Sequence, residues 1–238
     1  MKIERITDLG ATGTFYIGNS EIFIVHWNNG GNPIFYSFDH TKVVREVSKQ
    51  HFAIQLYGKN YLTIERSLPK PIEFYMYSKD DEGNIFLCFY QDSIVYQFNS
   101  MGELLLEWSI DDIGDGHSIY DIEFEPPSYL WMAFPSGHTV SRVSLQDKKE
   151  AFRFGNYTWE DITEPLNFPE SIFRRDDNLY ISNMGNGELL SVNLRTRNIT
   201  HVATFTDSIW QYGETTIGKF IITDKGLYEI KNAGNTTS

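Results

Sequence analysis

The chain has 238 residues, of which 41% are hydrophobic and 22% charged, with 20 Lys and Arg against 32 Asp and Glu for a formal charge of −12. That sign repels phosphate backbones and anionic lipid at long range, so neither nucleic acid nor a membrane surface is an expected partner. The lone cysteine, Cys88, excludes an intramolecular disulfide, and no stretch approaches the ~18 apolar residues of a membrane span.

The opening Met1-Lys2-Ile3-Glu4-Arg5 carries an acid and lacks the apolar core of an export signal, so the expected location is the cytoplasm. Ile3 to Leu9 reads as a strand with no partner of its own. From there on helical periodicity is nearly absent. What recurs is a run of four to seven residues rich in Ile, Val, Phe, Tyr and Trp, ended by Gly, Asn, Asp or Ser, which is the pattern of an all-β chain. A first repeat centres on Phe23 and turns at Asn28-Asn29-Gly30-Gly31-Asn32. Phe52 to Leu56 and Tyr61 to Glu65 read as a short hairpin. Three fuller repeats follow, Pro71 to Ile110, Ser118 to Gly155 and Phe168 to Phe205, each with four strands separated by polar turns. The last repeat has three strands, near Ile209 to Tyr212, Phe220 to Thr223 and Leu227 to Ile230, before the tail Ala233 to Ser238.

Second-strand anchors fall at Phe23, Leu62, Phe86, Trp131, Tyr180 and Ile221, with steps of 39 to 49 residues except for the 24 between Leu62 and Phe86. Steps of about 40 to 50 residues are the size of a β-propeller blade. The spacing predicts an all-β propeller of six blades, one of them a degenerate two-stranded blade, with five blades and an inserted hairpin as the alternative. Pairing Ile3–Leu9 with the three-stranded last repeat satisfies two backbone edges at once and closes the ring. Residues 1–232 are then one propeller domain, and 233–238 a flexible tail.

The two clearest long connections, Asp111 to His117 and Asn156 to Asn167, leave an outer strand for the next inner one. In a propeller they share a face with the turns between second and third strands, where function usually resides. The candidate binding residues are therefore Asp111, Asp112, Asp115, His117, His138, Trp159, Glu160, Asp161 and Glu164: an acidic face with an aromatic at its rim, suited to a basic or cationic protein partner or small ligand. No catalytic residue is assigned. Pro135-Ser136-Gly137-His138 places a Ser beside a His without a nucleophile elbow around it. No metal or other cofactor is expected either. The six histidines show no pair at metal-ligand spacing, and Asp111-Asp112-Ile113-Gly114-Asp115-Gly116 lacks an oxygen ligand at Ile113, its third position.

The segment Phe168-Pro169-Glu170-Ser171-Ile172-Phe173-Arg174-Arg175-Asp176-Asp177-Asn178-Leu179-Tyr180-Ile181-Ser182-Asn183-Met184-Gly185-Asn186-Gly187 resembles an NHL-type or gluconolactonase-like propeller repeat, with its polar Asp/Asn turn and aromatic second strand. The resemblance implies a divalent cation held at the ring centre by Glu, Asn and Asp. The matching positions here are Pro169, Tyr120 and one near Tyr75, and none supplies a carboxylate or amide. Glu170 and Asp121 stand one residue later and would reach the centre only through a register slip. A non-catalytic binding module is accordingly expected ahead of the alternative, a metal-dependent hydrolase, lactonase or lyase of the gluconolactonase-like type.

Overall fold

The computed structural model describes residues 2–9, 13–17, 21–27, 31–90, 92–155 and 165–231. Five four-stranded antiparallel sheets stand around a common axis. Blade 1 is β2 (Gly13–Ile17), β3 (Ile22–Trp27), β4 (Pro33–Phe38) and β5 (Val44–Val47). Blade 2 is β6 (Met76–Lys79), β7 (Ile85–Phe89), β8 (Ile94–Phe98) and β9 (Leu104–Ser109). Blade 3 is β10 (Asp121–Glu125), β11 (Tyr129–Phe134), β12 (Thr139–Ser144) and β13 (Glu150–Phe154). Blade 4 is β14 (Pro169–Arg175), β15 (Asn178–Asn183), β16 (Glu188–Asn193) and β17 (Ile199–Thr204). Blade 5 is β18 (Ile209–Thr215), β19 (Gly218–Thr223) and β20 (Gly226–Lys231), completed on its outside by β1 (Lys2–Thr7). No helix of the described residues is long and apolar enough to cross a membrane.

The expectation of six blades is thus corrected to five. The supposed two-stranded blade is a pair of helices, α1 (Lys49–Tyr57) and α2 (Tyr61–Arg66), in the connection from blade 1 to blade 2. Ser48 caps α1 by accepting the His51 N–H at 3.1 Å, and Gly58 ends it at φ 82°. The buried residues Phe52, Ala53, Leu56 and Tyr57 recur at helical rather than strand spacing, whereas Leu62, the presumed blade anchor, is 48% exposed on α2. Five apolar clusters fill the five blade interfaces. The one between blades 1 and 2 takes in Phe52, Leu56, Tyr57 and Ile64 from the helices, so the pair acts as a wedge where a sixth blade was expected. Lys49 anchors it between Glu65 and the buried Glu73, each at 2.6 Å. Burial alone would lower the Lys49 ammonium, but its bonds to the two carboxylates outweigh that and hold it above its ordinary value.

Closure follows the expected route. β1 pairs antiparallel with β20, with Ile3 opposite Ile230 and Glu4 opposite Glu229. Lys231 bonds Glu4, and Lys42 of blade 1 reaches Glu229 at 2.5 Å across the last interface. Gly226 makes the seam sterically possible: at φ +147° a Cβ there would lie 2.2 Å from the Thr7 carbonyl oxygen. The tail, 233–238, lies outside the described residues.

The inner strands β2, β6, β10, β14 and β18 line a central channel with a cavity of about 210 Å³. An inner strand pairs on one side only, so alternate amides face an unpaired edge. On β10 and β14 side chains serve them. Ser78 of β6 accepts the Phe124 N–H at 2.8 Å; Asp121 accepts the Ile122 N–H and, in the next blade, the Ile172 N–H, both at 2.9 Å. Glu123 accepts the Arg174 N–H at 3.3 Å, and the Arg174 guanidinium donates back to the Phe124 carbonyl at 2.9 Å. Burial pushes the Asp121 carboxyl well up and the Glu123 carboxyl up to about 7, against the opposing pull of these amides.

Deleting residues 2–7 exposes the whole β20 edge and lowers the melting temperature steeply for a fold whose total stability is about 5–15 kcal/mol, and Gly226→Ala lowers it in part; removing 233–238 does not. Unchanged melts for the first two would contradict the seam. Because Glu123 titrates at about 7 in the fold against an ordinary 4.5, the folded state holds the extra proton between those values. Its contribution is complete at acid pH and is lost as pH rises through 7. The melting temperature should fall from pH 5 to pH 8, and Glu123→Gln, which can still accept the Arg174 amide, should flatten that slope. A slope identical in wild type and variant would remove Glu123 from the account.

Candidate functional site

The channel opens upward where inner strands begin and second strands end, and this face carries the candidate residues that are described. Asp111, Asp112, Asp115 and His117 lie in the β9–β10 connection, and His138 closes the β11–β12 turn at φ 51°. They do not form one cluster of free charges. Asp111 accepts from the Ser109 hydroxyl at 2.7 Å, and Asp115 is bonded to Arg153 of β13, which holds its carboxyl below the usual range. His117 Nδ1 lies 3.3 Å from the Ser136 hydroxyl, and Gly137 approaches the same ring so closely that a Cβ would come within 2.7 Å of it. His138 turns toward blade 4: its Nδ1 accepts the Phe168 N–H at 3.3 Å, and its ring meets Phe168 edge-on at 4.9 Å. Trp159, Glu160, Asp161 and Glu164 lie outside the described residues.

Beside these loops runs a line of aromatic rings that sequence reasoning did not assemble. Trp27, at the end of β3, contacts Phe74 with ring centroids 4.6 Å apart. Phe74 contacts Phe89 at 6.2 Å, Phe89 contacts Tyr90 at 4.8 Å, and Tyr90 contacts Tyr120 at 5.5 Å. The line crosses from blade 1 to blade 3. Phe74, Tyr90 and Tyr120 are 40%, 42% and 38% exposed, so three rings present surface to solvent in one strip. The residues that carry them lie at strand ends, in loops and in the short 3-10 turn Ile72–Phe74; each looks unremarkable alone in the sequence, and only the side-by-side placing of blades 1, 2 and 3 brings them together.

Glu170 stands next to that strip. Between Pro169 and Ser171 the β14–β15 register shifts, and Glu170 is the extra residue of the bulge. The slip invoked in the sequence reading is therefore present, but as a local bulge. Burial pushes the Glu170 carboxyl up to about 7, and its charge is felt by the Tyr120 phenol and the Asp121 carboxyl. It makes no hydrogen bond or ion pair with the described residues. Asp92, at the β7–β8 turn, adds a second carboxylate near the aromatic strip, 3.4 Å from the Tyr75 hydroxyl. Among the described residues no three His, Cys, Asp or Glu side chains are grouped to hold a metal ion. Cys88 is buried within β7, where burial pushes its thiol well up and leaves it a poor nucleophile.

No protein-family model matches the chain, and no curated protein does. Among solved structures it is similar to a streptogramin B lyase, with a TM-score of 0.60 at 10% identity over 96% of both chains. It is also similar to the glutaminyl cyclase of Myxococcus xanthus, with a TM-score of 0.55 at 6% identity over 96% of this chain and 93% of that one. A catalytically inactive virginiamycin B lyase from Staphylococcus aureus, solved with quinupristin, gives 0.50 at 12% identity over 94% of this chain and 67% of the other. At such identities the likeness shows a shared fold: this chain is a β-propeller.

Proposed function

We propose that this propeller is a non-catalytic binding module whose upper face takes a basic segment of a protein partner. The observation that carries the reading is the exposed aromatic strip Phe74–Tyr90–Tyr120 beside Glu170, a carboxylate with no cation of its own among the described residues. Aromatic anchors in an acidic surround favour cationic occupants, and the chain's charge of −12 steers them inward from a distance. Asp111, Asp112, Asp115, His117, His138, Trp159, Glu160, Asp161 and Glu164 would form the rim around that strip, in a protein working in the cytoplasm.

One observation favours a second reading, a hydrolase, lactonase or lyase of the gluconolactonase-like type. Glu170, titrating at about 7 at the channel mouth, has the acidity of a general base. Against it stands the absence, among the described residues, of a second group at bonding distance from Glu170 to share a proton or hold an electrophile.

The test is capture of partners from native lysate at low and high salt. Wild type should recover a defined set of basic proteins at low salt and lose most of it at high salt. Trp159→Ala should weaken capture by about 2 kcal/mol or more if that ring is an anchor. Neutralising Asp111, Asp112, Glu160 and Asp161 together should remove the salt dependence. Identical recovery by all three proteins would move the binding surface elsewhere, and lactonase turnover abolished by a chelator would replace the reading with the enzyme.

A further inference from the structure

Tyr90 and Tyr120 belong to different blades, and their rings meet at 5.5 Å with 40° between planes, a tilted contact and not a parallel stack. Both keep about two-fifths of their surface exposed, at 42% and 38%. Ring faces carry the negative end of the aromatic quadrupole, so a tilted pair of exposed rings is an attractive seat for a cation. Glu170, on the neighbouring inner strand β14, projects its charge on Tyr120 and has no ion pair with the described residues. A partly buried carboxylate without a counter-charge among the described residues is what an incoming cation would compensate.

We propose that Tyr90, Tyr120 and Glu170 form a subsite for an alkylated ammonium group, such as a methylated lysine head or a choline-type headgroup, at the channel mouth. The inference rests on the binding-face reading above and names the chemistry of its central contact. A hard divalent ion does not suit the site, because two ring faces and one carboxylate fall well short of the roughly six oxygen ligands it needs. A guanidinium stacks flat on a ring and pairs with a carboxylate through two parallel bonds, which a tilted pair does not favour. A primary ammonium is strongly hydrated and gives up its water reluctantly. Methylation weakens that hydration and adds apolar surface, and both changes favour the π-faces.

The experiment is a titration of the full chain with choline chloride at constant ionic strength, followed by saturation-transfer NMR on the trimethylammonium protons. Its neutral isostere 3,3-dimethylbutan-1-ol serves as the control. The expected result is saturable transfer to choline, no competition from the alcohol, and loss of binding in Tyr120→Ala. Glu170→Gln should bind about 5- to 10-fold more weakly, the fold-change that a cation–π contact or a partly exposed charge pair typically carries, while Tyr120→Phe should stay within about twofold of wild type. A wild-type melt confirms that each variant is folded, and the conservative Glu170→Gln keeps the test decisive should Tyr120→Ala fail to fold. Equal binding of the alcohol, or choline binding unchanged in Glu170→Gln, would overturn the proposal. So would absence of choline binding: if basic partners were still captured in a salt-dependent way, the subsite alone would fall, and if they were not, the binding-face reading would fall with it. Arms with a trimethyllysine peptide and with phosphocholine separate a protein source of the headgroup from a lipid or metabolite source.

Discussion

Every blade of a propeller ends, toward the axis, in a strand with one unpaired edge, and the architecture holds only if the amides on that edge find acceptors. On β10 and β14 of this protein, side chains of the preceding blade supply acceptors. Asp121 and Glu123 sit two apart on β10 and meet the amides of Ile172 and Arg174, two apart on β14; Ser78 does the same for Phe124 one blade earlier. The period-two alternation of strands aligns the two rows, so a pair of acids at that spacing can bridge from one inner strand to the next. The channel is polar because its backbone edges require it. Its carboxylates are held by amides and are made weaker acids by burial, which leaves the channel interior occupied by the protein's own bonding and moves the free chemistry to the mouth, at Glu170.

The same need for edge satisfaction explains closure. A three-stranded last repeat and an unpaired first strand are both legible in the sequence, and they become the β1–β20 seam, with Gly226 admitting the Thr7 carbonyl. Blade size was legible too, because each of the repeats from Pro71 onward alternates strands with polar turns. The segment 48–66 was misread for a physical reason. It is rich in Phe, Ile, Leu and Tyr, which suit a buried strand as well as a helix, and short apolar runs do not separate the two. The signals that distinguish them were present: Ser48 three residues before His51, Gly58 ten residues after Ser48, and buried residues recurring at 52, 53, 56 and 57. Taking these as the ends of a helix removes the blade that the 24-residue step had left half-made.

The binding face was legible in outline and not in detail. Connection length alone placed Asp111, Asp112, Asp115 and His117 beside the turn that carries His138, but the structure shows that Asp115 is committed to Arg153 and His138 to Phe168. Which acids remain free depends on contacts between blades, which no local pattern encodes. Glu170 was set aside because strand alternation turned it to the wrong face, and a bulge, invisible to period counting, restored it. Tyr90 and Tyr120 are thirty residues apart and meet only because blades 2 and 3 are neighbours in the ring.

The central claim, that carboxylates of one blade serve the open amide edge of the next, is tested most directly by amide hydrogen exchange in Asp121→Ala against wild type. The account predicts that the Ile172 amide loses protection by at least an order of magnitude, while amides in the β15–β16 ladder of the same blade keep theirs. Unchanged protection at Ile172, or a uniform loss across blade 4, would contradict it.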